Sequence, residues 1–388
     1  MSPSDYHFCV VGAGLTGLVY AERIASQLKQ PVLLIDKRKK LGGNSSATID
    51  RETGIEVHDY GSHIFHTSNE TVWNYVNRFA SFNSYRHHVL IHTNGHVYFM
   101  PINLKTIQEV SGKAFTPDEA RDWMASGIHS AVVPRNLEEK AISLIGPVLY
   151  SLFIKGYTAK QWGRQPSELP PDIITRLPIR MTYETEYFNS RYQGIPSDGY
   201  DAMFRRMAET PGIKLLLNTA FSEVAAQLPQ DCLVVYTGMI DEFFGYRFGA
   251  LEWRSLRFER ETVPVRDYQG TTVMNYGDET VPYTRIHEFK HYHPEWEQSF
   301  NADKTIIFRE YPMDWKPGLE AFYPVNDERN HSLLQKYQHL AETNPNILFC
   351  GRLGAYKYWD MDKAVAMSLE GFESSIARRH TWTTSLQL

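Results

Sequence analysis

Tyr6-His7-Phe8-Cys9-Val10-Val11-Gly12-Ala13-Gly14-Leu15-Thr16-Gly17 is an apolar run that ends in G-x-G-x-x-G. Residues 6–11 are short, apolar and closed by glycine, which predicts a buried parallel strand. Residues 15–28 predict a helix, and residues 31–35 a second strand that ends at Asp36. A right-handed crossover lays those two strands side by side and parallel. In that context Gly12 permits the tight turn, Gly14 lets a pyrophosphate approach the backbone, and Gly17 allows close helix–strand packing. The helix start then offers free N–H groups and the positive end of its dipole to an anion. Asp36 stands where an acid binds ribose hydroxyls, and its charge opposes the extra phosphate of NADP.

Working outward, Leu41-Gly42-Gly43-Asn44 supplies a second glycine turn that can approach a dinucleotide. A Gly-Gly following the acidic residue resembles the FAD-binding pattern of glutathione-reductase-like and amine-oxidase-like flavoproteins. Gly43 and Asn44 are therefore cofactor candidates. Near the other end, residues 347–350 predict a late strand that leads into Gly351-Arg352-Leu353-Gly354, and a helix opens at Asp360-Met361-Asp362. Arg352 is suited to offset pyrophosphate charge. The helix start at Met361 can aim N–H groups at the pyrimidine edge of a flavin and stabilise an anionic reduced form. The cofactor expected is FAD.

The 388 residues suffice for two or three packed units. A 42% hydrophobic and 22% charged composition excludes disorder, collagen-like repeats and coiled coil. A net charge of −5 argues against a general nucleic-acid binder, so any anionic ligand depends on local arginines and helix starts. Cys9, Cys232 and Cys350 lie far apart, form no CxxC pair and imply no disulfide framework. No basic leader precedes the first strand, and no apolar run is read as long enough to span a bilayer. These features point to the cytoplasm.

From residue 103 to 162 the pattern turns helical. Thr116-Pro117-Asp118-Glu119 reads as a capped helix start. Residues 136–157 carry Ile142, Ile145, Leu149, Leu152 and Phe153 at the spacing of one buried face. Between 182 and 325, aromatic and β-branched runs alternate with turns, predicting much antiparallel sheet. No repeat or low-complexity tract is found. The expected fold class is α/β. A discontinuous FAD-binding Rossmann-like domain covers 1–80, 215–240 and 345–388, with its last strand returning to the first. A helical bundle with a mobile substrate loop covers 103–180. An antiparallel β-sheet domain covers 81–102, 181–214 and 241–344.

Longer stretches then identify a family. Gly61-Ser62-His63-Ile64-Phe65-His66-Thr67, Lys155-Gly156-Tyr157-Thr158-Ala159-Lys160-Gln161-Trp162-Gly163 and Val281-Pro282-Tyr283-Thr284-Arg285 are ordered along the chain and unusual in composition. So are Phe322-Tyr323-Pro324-Val325-Asn326-Asp327 and Tyr356-Lys357-Tyr358-Trp359-Asp360-Met361-Asp362. With them the chain resembles the UDP-galactopyranose mutase family over nearly its whole length. The resemblance implies three domains, a bacterial homodimer and a flavoenzyme that acts without net redox change. It also implies an isomerase of galactofuranose supply for cell-surface polysaccharide. The flavin must be reduced by an external reductant, because its N5 is the nucleophile on the anomeric carbon of a nucleotide sugar.

The same resemblance implies roles for individual residues. Arg176, on the mobile loop, and Arg285 clamp the diphosphate, with Arg254 a weaker candidate of the same kind. Tyr157, Trp162 and Phe153 line the nucleotide pocket, although periodicity alone assigns all three to helix core. Tyr187, Tyr323 and Tyr358 donate hydroxyls to the diphosphate, and Asp360 orients Tyr358 or the sugar. His63 lies against the flavin and tunes it, while His66 is read as structural. The two histidines lack further ligands at suitable spacing, so no metal is expected. His287, His291 and His293 are read as a polar sheet edge or loop.

Two departures bear on the sugar. His87, in Tyr85-Arg86-His87-His88, stands where an asparagine reaching the sugar hydroxyls is expected, and Ser62 replaces a small apolar residue or proline. Ser197-Asp198-Gly199-Tyr200 is also more polar than the glycine-rich turn expected there. The reading is therefore a mutase for UDP-galactopyranose, with a 6-deoxy sugar such as dTDP-fucopyranose as the alternative. A flavin amine oxidase with net redox chemistry shares the glycine motifs but not the arginine and tyrosine set. A non-catalytic nucleotide-binding protein would not need His63.

Overall fold

The first apolar run forms strand β1 (Phe8–Val11), and the second forms β2 (Val32–Ile35). The structure, a computed structural model, describes residues 2–128, 133–174 and 179–377. Between the two strands, helix α1 (Leu15–Gln27) ends one residue before the expected boundary. β1 and β2 are parallel neighbours, with Val10 opposite Leu34. Side chains alternate across the sheet. Val10 and Leu34 join the core under α1 with Leu18 and Ile24, whereas Cys9, Leu33 and Ile35 join a second core with Tyr6 and Val234. Burying each of these Leu or Ile side chains contributes about 1.5–3 kcal/mol.

Among the described residues this parallel sheet has five strands, in the order Ile347–Phe349, Leu233–Tyr236, β1, β2 and Ile213–Leu216. The late strand pairs with Leu233–Tyr236, not with β1, which corrects the expectation that the last strand returns to the first. The Leu-Val-Val-Tyr run takes the place beside β1, and the late strand is displaced one position outward. The chain rejoins this sheet at Ile213, and helix Tyr200–Ala208 packs on α1.

Among the described residues a second sheet has seven strands, in the order Tyr323–Pro324, Trp253–Val263, Thr305–Asp314, Arg285–Glu288, Val273–Tyr276, Val89–Thr93 and His96–Met100. Its neighbours are antiparallel except for Val273–Tyr276 beside Val89–Thr93, which run parallel. The sheet is therefore mixed.

Helices Leu104–Ser111, Pro117–Ala125, Leu137–Leu149 and Gly156–Trp162 form the third unit. The expected capping box is present. Thr116 Oγ1 accepts from Glu119 N–H at 3.4 Å, and Glu119 accepts from Thr116 N–H at 2.8 Å. The helix predicted over 136–157 starts at its Asn136 cap and runs on through a wider π turn, Tyr150–Lys155, into Gly156–Trp162. Gly146 interrupts it at φ 74°, just before Pro147. A Cβ there would meet the Met124 carbonyl oxygen at 2.4 Å, so only glycine lets the neighbouring helix approach. Leu137–Trp162 is long and apolar enough by length and composition to cross a bilayer, contrary to the expectation of no such run. Half of its most apolar window is buried, and Ile145, Leu149 and Phe153 pack into the core of this unit.

Candidate active site

A cleft of about 1470 Å³ opens at the carboxyl ends of β1 and β2, between the two sheets and the helical unit. A single small-molecule site usually occupies roughly 300–1,000 Å³, so this cleft has room for a dinucleotide and a second ligand. Its cofactor end is built from glycine. A Cβ on Gly12 (φ 100°) would meet Thr237 Oγ1 at 2.1 Å, and one on Gly43 would meet Gly14 Cα at 3.0 Å. The two glycine turns therefore meet backbone to backbone. Gly14 begins α1 without a side-chain cap, which leaves first-turn N–H groups as donors at the cleft. Gly17 does not line the cleft; a Cβ there would meet the Gly12 carbonyl oxygen at 1.8 Å, so its task is packing. Asp36 lines the cleft and accepts the N–H groups of Ala13 and Arg38, each at 2.7 Å. Each carboxylate oxygen keeps acceptor capacity for a ribose hydroxyl. Asn44, Arg352 and Met361 also line the cleft. Helix Met361–Gly371 begins at Asp360 with no side-chain cap, giving a second set of N–H donors. These donors, the close glycine turns and the acid at the strand end fit FAD.

His63 lies two residues after Gly61 (φ 85°) on a loop that lines the cleft. Burial, aided by His58 and Arg352, lowers its pKa to about 3, so its ring is neutral. Nδ1 lies 2.8 Å from the Gly61 carbonyl, which can only accept. Nδ1 therefore carries the proton and Nε2 is the acceptor. The loop is held from two sides: His63 N–H donates to His58 Nδ1 at 3.0 Å, and Ser62 Oγ bonds His287 Nδ1 at 2.6 Å. His287 is fully buried and lies 3.1 Å through Nε2 from Glu310. Burial keeps it neutral, so Nε2–H donates to Glu310 and Ser62 donates to Nδ1.

Glu310 also faces Arg285, its cross-strand partner, with Oε1 3.4 Å from Nε. Burial raises the Glu310 pKa, but Arg285, His287 and Thr284 outweigh it and hold the carboxyl ionised. Arg285 in turn donates to the Tyr157 hydroxyl. Tyr157, Trp162, Tyr187, Tyr323, Tyr358 and Asp360 all line the same cleft. The Tyr323 and Tyr358 rings stack 5.5 Å apart, and Arg352 lies over Tyr358 at 5.5 Å. Burial raises the pKa of Tyr187, Tyr323 and Tyr358, the last pushed to about 12 with help from Asp360. All three hydroxyls are therefore neutral donors. His87 also lines the cleft, stacked on Phe188, with Nδ1 2.9 Å from the Tyr85 hydroxyl. Burial lowers its pKa to about 3, so it too is neutral.

Not every candidate reaches the cleft. Phe153 is buried in the helical core, edge-on to Tyr98, so its periodic position decides its place. Arg254 is buried outside the cleft, where it pairs with Asp314 and donates to the Gln161 carbonyl at 3.0 Å. It supports the end of the helix that carries Trp162. Arg176 lies outside the described residues.

Other residues were missed or misread. His66, read as structural, lines the cleft against Phe188, with ring centroids 3.6 Å apart. His287 and His293 are buried rather than on a polar edge. His293 Nε2 lies 2.8 Å from Glu56, whose pKa burial raises but His293 and His58 bring down to about 2. Glu310 carries no sequence signal, because only sheet register sets it beside Arg285. Among the described residues, Asp267, Glu288 and His291 bring one ligand atom each within 4.8 Å. They already hydrogen-bond to one another or to backbone N–H groups, and none lines the cleft.

Residues 152–358 match the family profile for UDP-galactopyranose mutase, and residues 10–79 match that for an NAD(P)-binding Rossmann-like domain. A probable UDP-galactopyranose mutase of Klebsiella pneumoniae is 43% identical over 97% of each chain. A dTDP-fucopyranose mutase of Escherichia coli is 38% identical over 93% of this chain and 96% of its own. A crystal structure of reduced UDP-galactopyranose mutase has the same fold, with a TM-score of 0.70 at 14% identity, covering 97% of this chain and 96% of that one.

Proposed function

We propose, from the premise that the chain belongs to the UDP-galactopyranose mutase family, that it interconverts UDP-galactopyranose and UDP-galactofuranose. The observation that carries this reading is the convergence on one cleft of a dinucleotide cradle, a neutral His63 and the Arg285–Tyr157 pair. Gly12, Gly14, Asp36, Gly43, Asn44, Arg352 and Met361 hold FAD, with Gly17 packing behind. Bound and reduced by an external donor, the flavin supplies the nucleophile for the anomeric carbon.

The chain's own residues do the rest. As the anomeric bond breaks, negative charge grows on the departing diphosphate. Arg285 stabilises that charge, and Tyr187, Tyr323 and Tyr358 add neutral hydroxyl donors. Removing one such donor typically costs about 10²–10³ in turnover. By family resemblance, Arg176 closes the other side. Tyr157 and Trp162 offer π-faces to the base. His63 Nε2 is a fixed acceptor lining the cleft, and Asp360 orients the sugar or Tyr358. The enzyme works in the cytoplasm as a homodimer.

His87 favours a second reading. Its neutral ring fills space in the cleft beside His66 and Phe188, which suits a 6-deoxy sugar such as dTDP-fucopyranose. A site that leaves a polar group unpaired discriminates strongly, so one residue can decide the sugar. The experiment offers UDP-galactose and dTDP-fucose separately to the chemically reduced protein under anaerobic conditions. The expected product has unchanged mass and altered retention, appears only with reduced flavin, and identifies the sugar. No conversion of either by intact reduced enzyme rejects both sugars and points to another nucleotide sugar first and a redox flavoenzyme second. His87→Asn is expected to raise the ratio of galactose to fucose turnover; an unchanged ratio removes position 87 from sugar choice.

A further inference from the structure

Lys160 lies one turn beyond Tyr157 on helix Gly156–Trp162, and the proposed reaction gives it no task. Its Nζ donates to three main-chain carbonyls: Tyr276 at 2.8 Å, Asp278 at 2.8 Å and Tyr283 at 3.1 Å. An ammonium has three N–H donors, and here all three acceptors belong to one stretch of chain. That stretch joins strand Val273–Tyr276 to strand Arg285–Glu288. Gly156, one turn earlier on the same helix face, presses on the same connection: a Cβ there would meet the Gly277 carbonyl oxygen at 2.2 Å. Two residues after the last anchored carbonyl comes Arg285, whose guanidinium bonds Tyr157 on this helix. One helix thus grips the connection at two points and receives its arginine at a third.

We propose that Lys160 is a positioning residue, a three-carbonyl anchor that holds Arg285 against Tyr157 and so sets the diphosphate-binding side of the cleft. The inference rests on the reading above, that a nucleoside diphosphate binds there. The chemistry at Nζ is specific. Burial lowers its pKa to about 8 while Asp278 and Glu279 raise it, so at pH 7 the charged form holds all three donors. An apolar side chain of the same length leaves three carbonyls without their charged donor. The connection then relaxes, and the guanidinium moves with it. A misplacement of about 1 Å in such a group can cost up to about 100-fold.

The test uses the flavin-bound full-length protein at pH 7, with UDP as the probe and UDP-galactose, or dTDP-fucose if that is the sugar turned over, as substrate. Lys160→Met is expected to bind flavin with an unchanged visible spectrum while its affinity for UDP falls about tenfold or more and KM rises more than kcat falls. Lys160→Cys is expected to behave like Lys160→Met and to regain UDP affinity after aminoethylation, which rebuilds an ammonium at that reach. Wild-type protein treated with the same reagent controls for Cys9, Cys232 and Cys350. UDP affinity and KM unchanged in Lys160→Met overturn the proposal. So does a Lys160→Met chain that loses flavin and folded structure together, or an aminoethylated variant that binds flavin but no more UDP than before. A wild-type holoenzyme that binds neither UDP nor dTDP instead overturns the nucleotide-sugar reading, which separates the two failures.

Discussion

Gly14 and Gly43 face each other so closely that a Cβ on Gly43 would stand 3.0 Å from Gly14 Cα. Both glycines line the cleft at the start of α1, where its free N–H groups suit a diphosphate. Gly14→Val fills the gap with a branched side chain, and the expected outcome is a folded protein purified without flavin. A yellow variant with full flavin content contradicts the role. His63 and His87 give a pH prediction. Their ordinary value is 6.5 and burial lowers each to about 3 in the folded protein. Between those values the unfolded chain binds protons that the folded chain does not. Their contribution is therefore complete above about pH 6.5 and is lost as pH falls toward 3. The urea midpoint is expected to decline over that window, and less steeply in His87→Asn, which lacks one of the two groups. An equal slope in both proteins rejects the assignment for His87.

At the scale of elements, the segment between strands Thr305–Asp314 and Tyr323–Pro324 runs along the cofactor end of the cleft with Trp315, Gly318, Leu319 and Glu320. Glu320 pairs with Arg38, which lies over the Tyr60 ring at 4.8 Å and donates to Asn44 at 3.0 Å. The pair joins the loop after β2 to the second sheet across the cleft. It is partly exposed, so it contributes about 1 kcal/mol at most. Glu320→Gln is accordingly expected to release flavin up to about fivefold faster, with little change in unfolding temperature. An unchanged release rate shows that the pair does not retain the cofactor. The helix through Leu137–Trp162 makes a related point about legibility. Its buried face was readable from the spacing of Ile145, Leu149 and Phe153. The break at Gly146 is marked in the sequence by Pro147, which disfavours a helical residue before it, but the close approach of the Met124 carbonyl from another helix was not readable.

At the scale of the molecule, the cleft draws its walls from the parallel sheet, the seven-stranded sheet and the helical unit. A ligand bound there links all three to folding. At a free flavin concentration of 100 times Kd the gain is about 2.7 kcal/mol. The unfolding midpoint is therefore expected to rise by several degrees when flavin is restored to stripped protein, and to keep rising with added flavin. A midpoint independent of flavin rejects this coupling.

The nucleotide-binding half was legible because its determinants are local. β1, the glycine turn, α1 and Asp36 fall within one short stretch, and backbone sterics and apolar patterning act over such distances. The tyrosines of the cleft were legible only through long family-like motifs, since nothing in their own spacing separates them from packing residues. Three features were decided by the tertiary structure alone. Glu310 meets Arg285 through antiparallel register, His287 reaches Ser62 from a distant strand, and Lys160 finds its three carbonyls on a turn more than a hundred residues away. Arg254 and Phe153 show the converse, since the family resemblance suggested binding roles while packing placed both outside the cleft. The sequence by itself determined where the chain turns, caps and buries its apolar faces, because those choices are made against near neighbours and water. Which polar groups share a buried site was left to the tertiary structure, because a desolvated charge or hydroxyl settles on whatever partner the packed sheets bring within hydrogen-bonding distance.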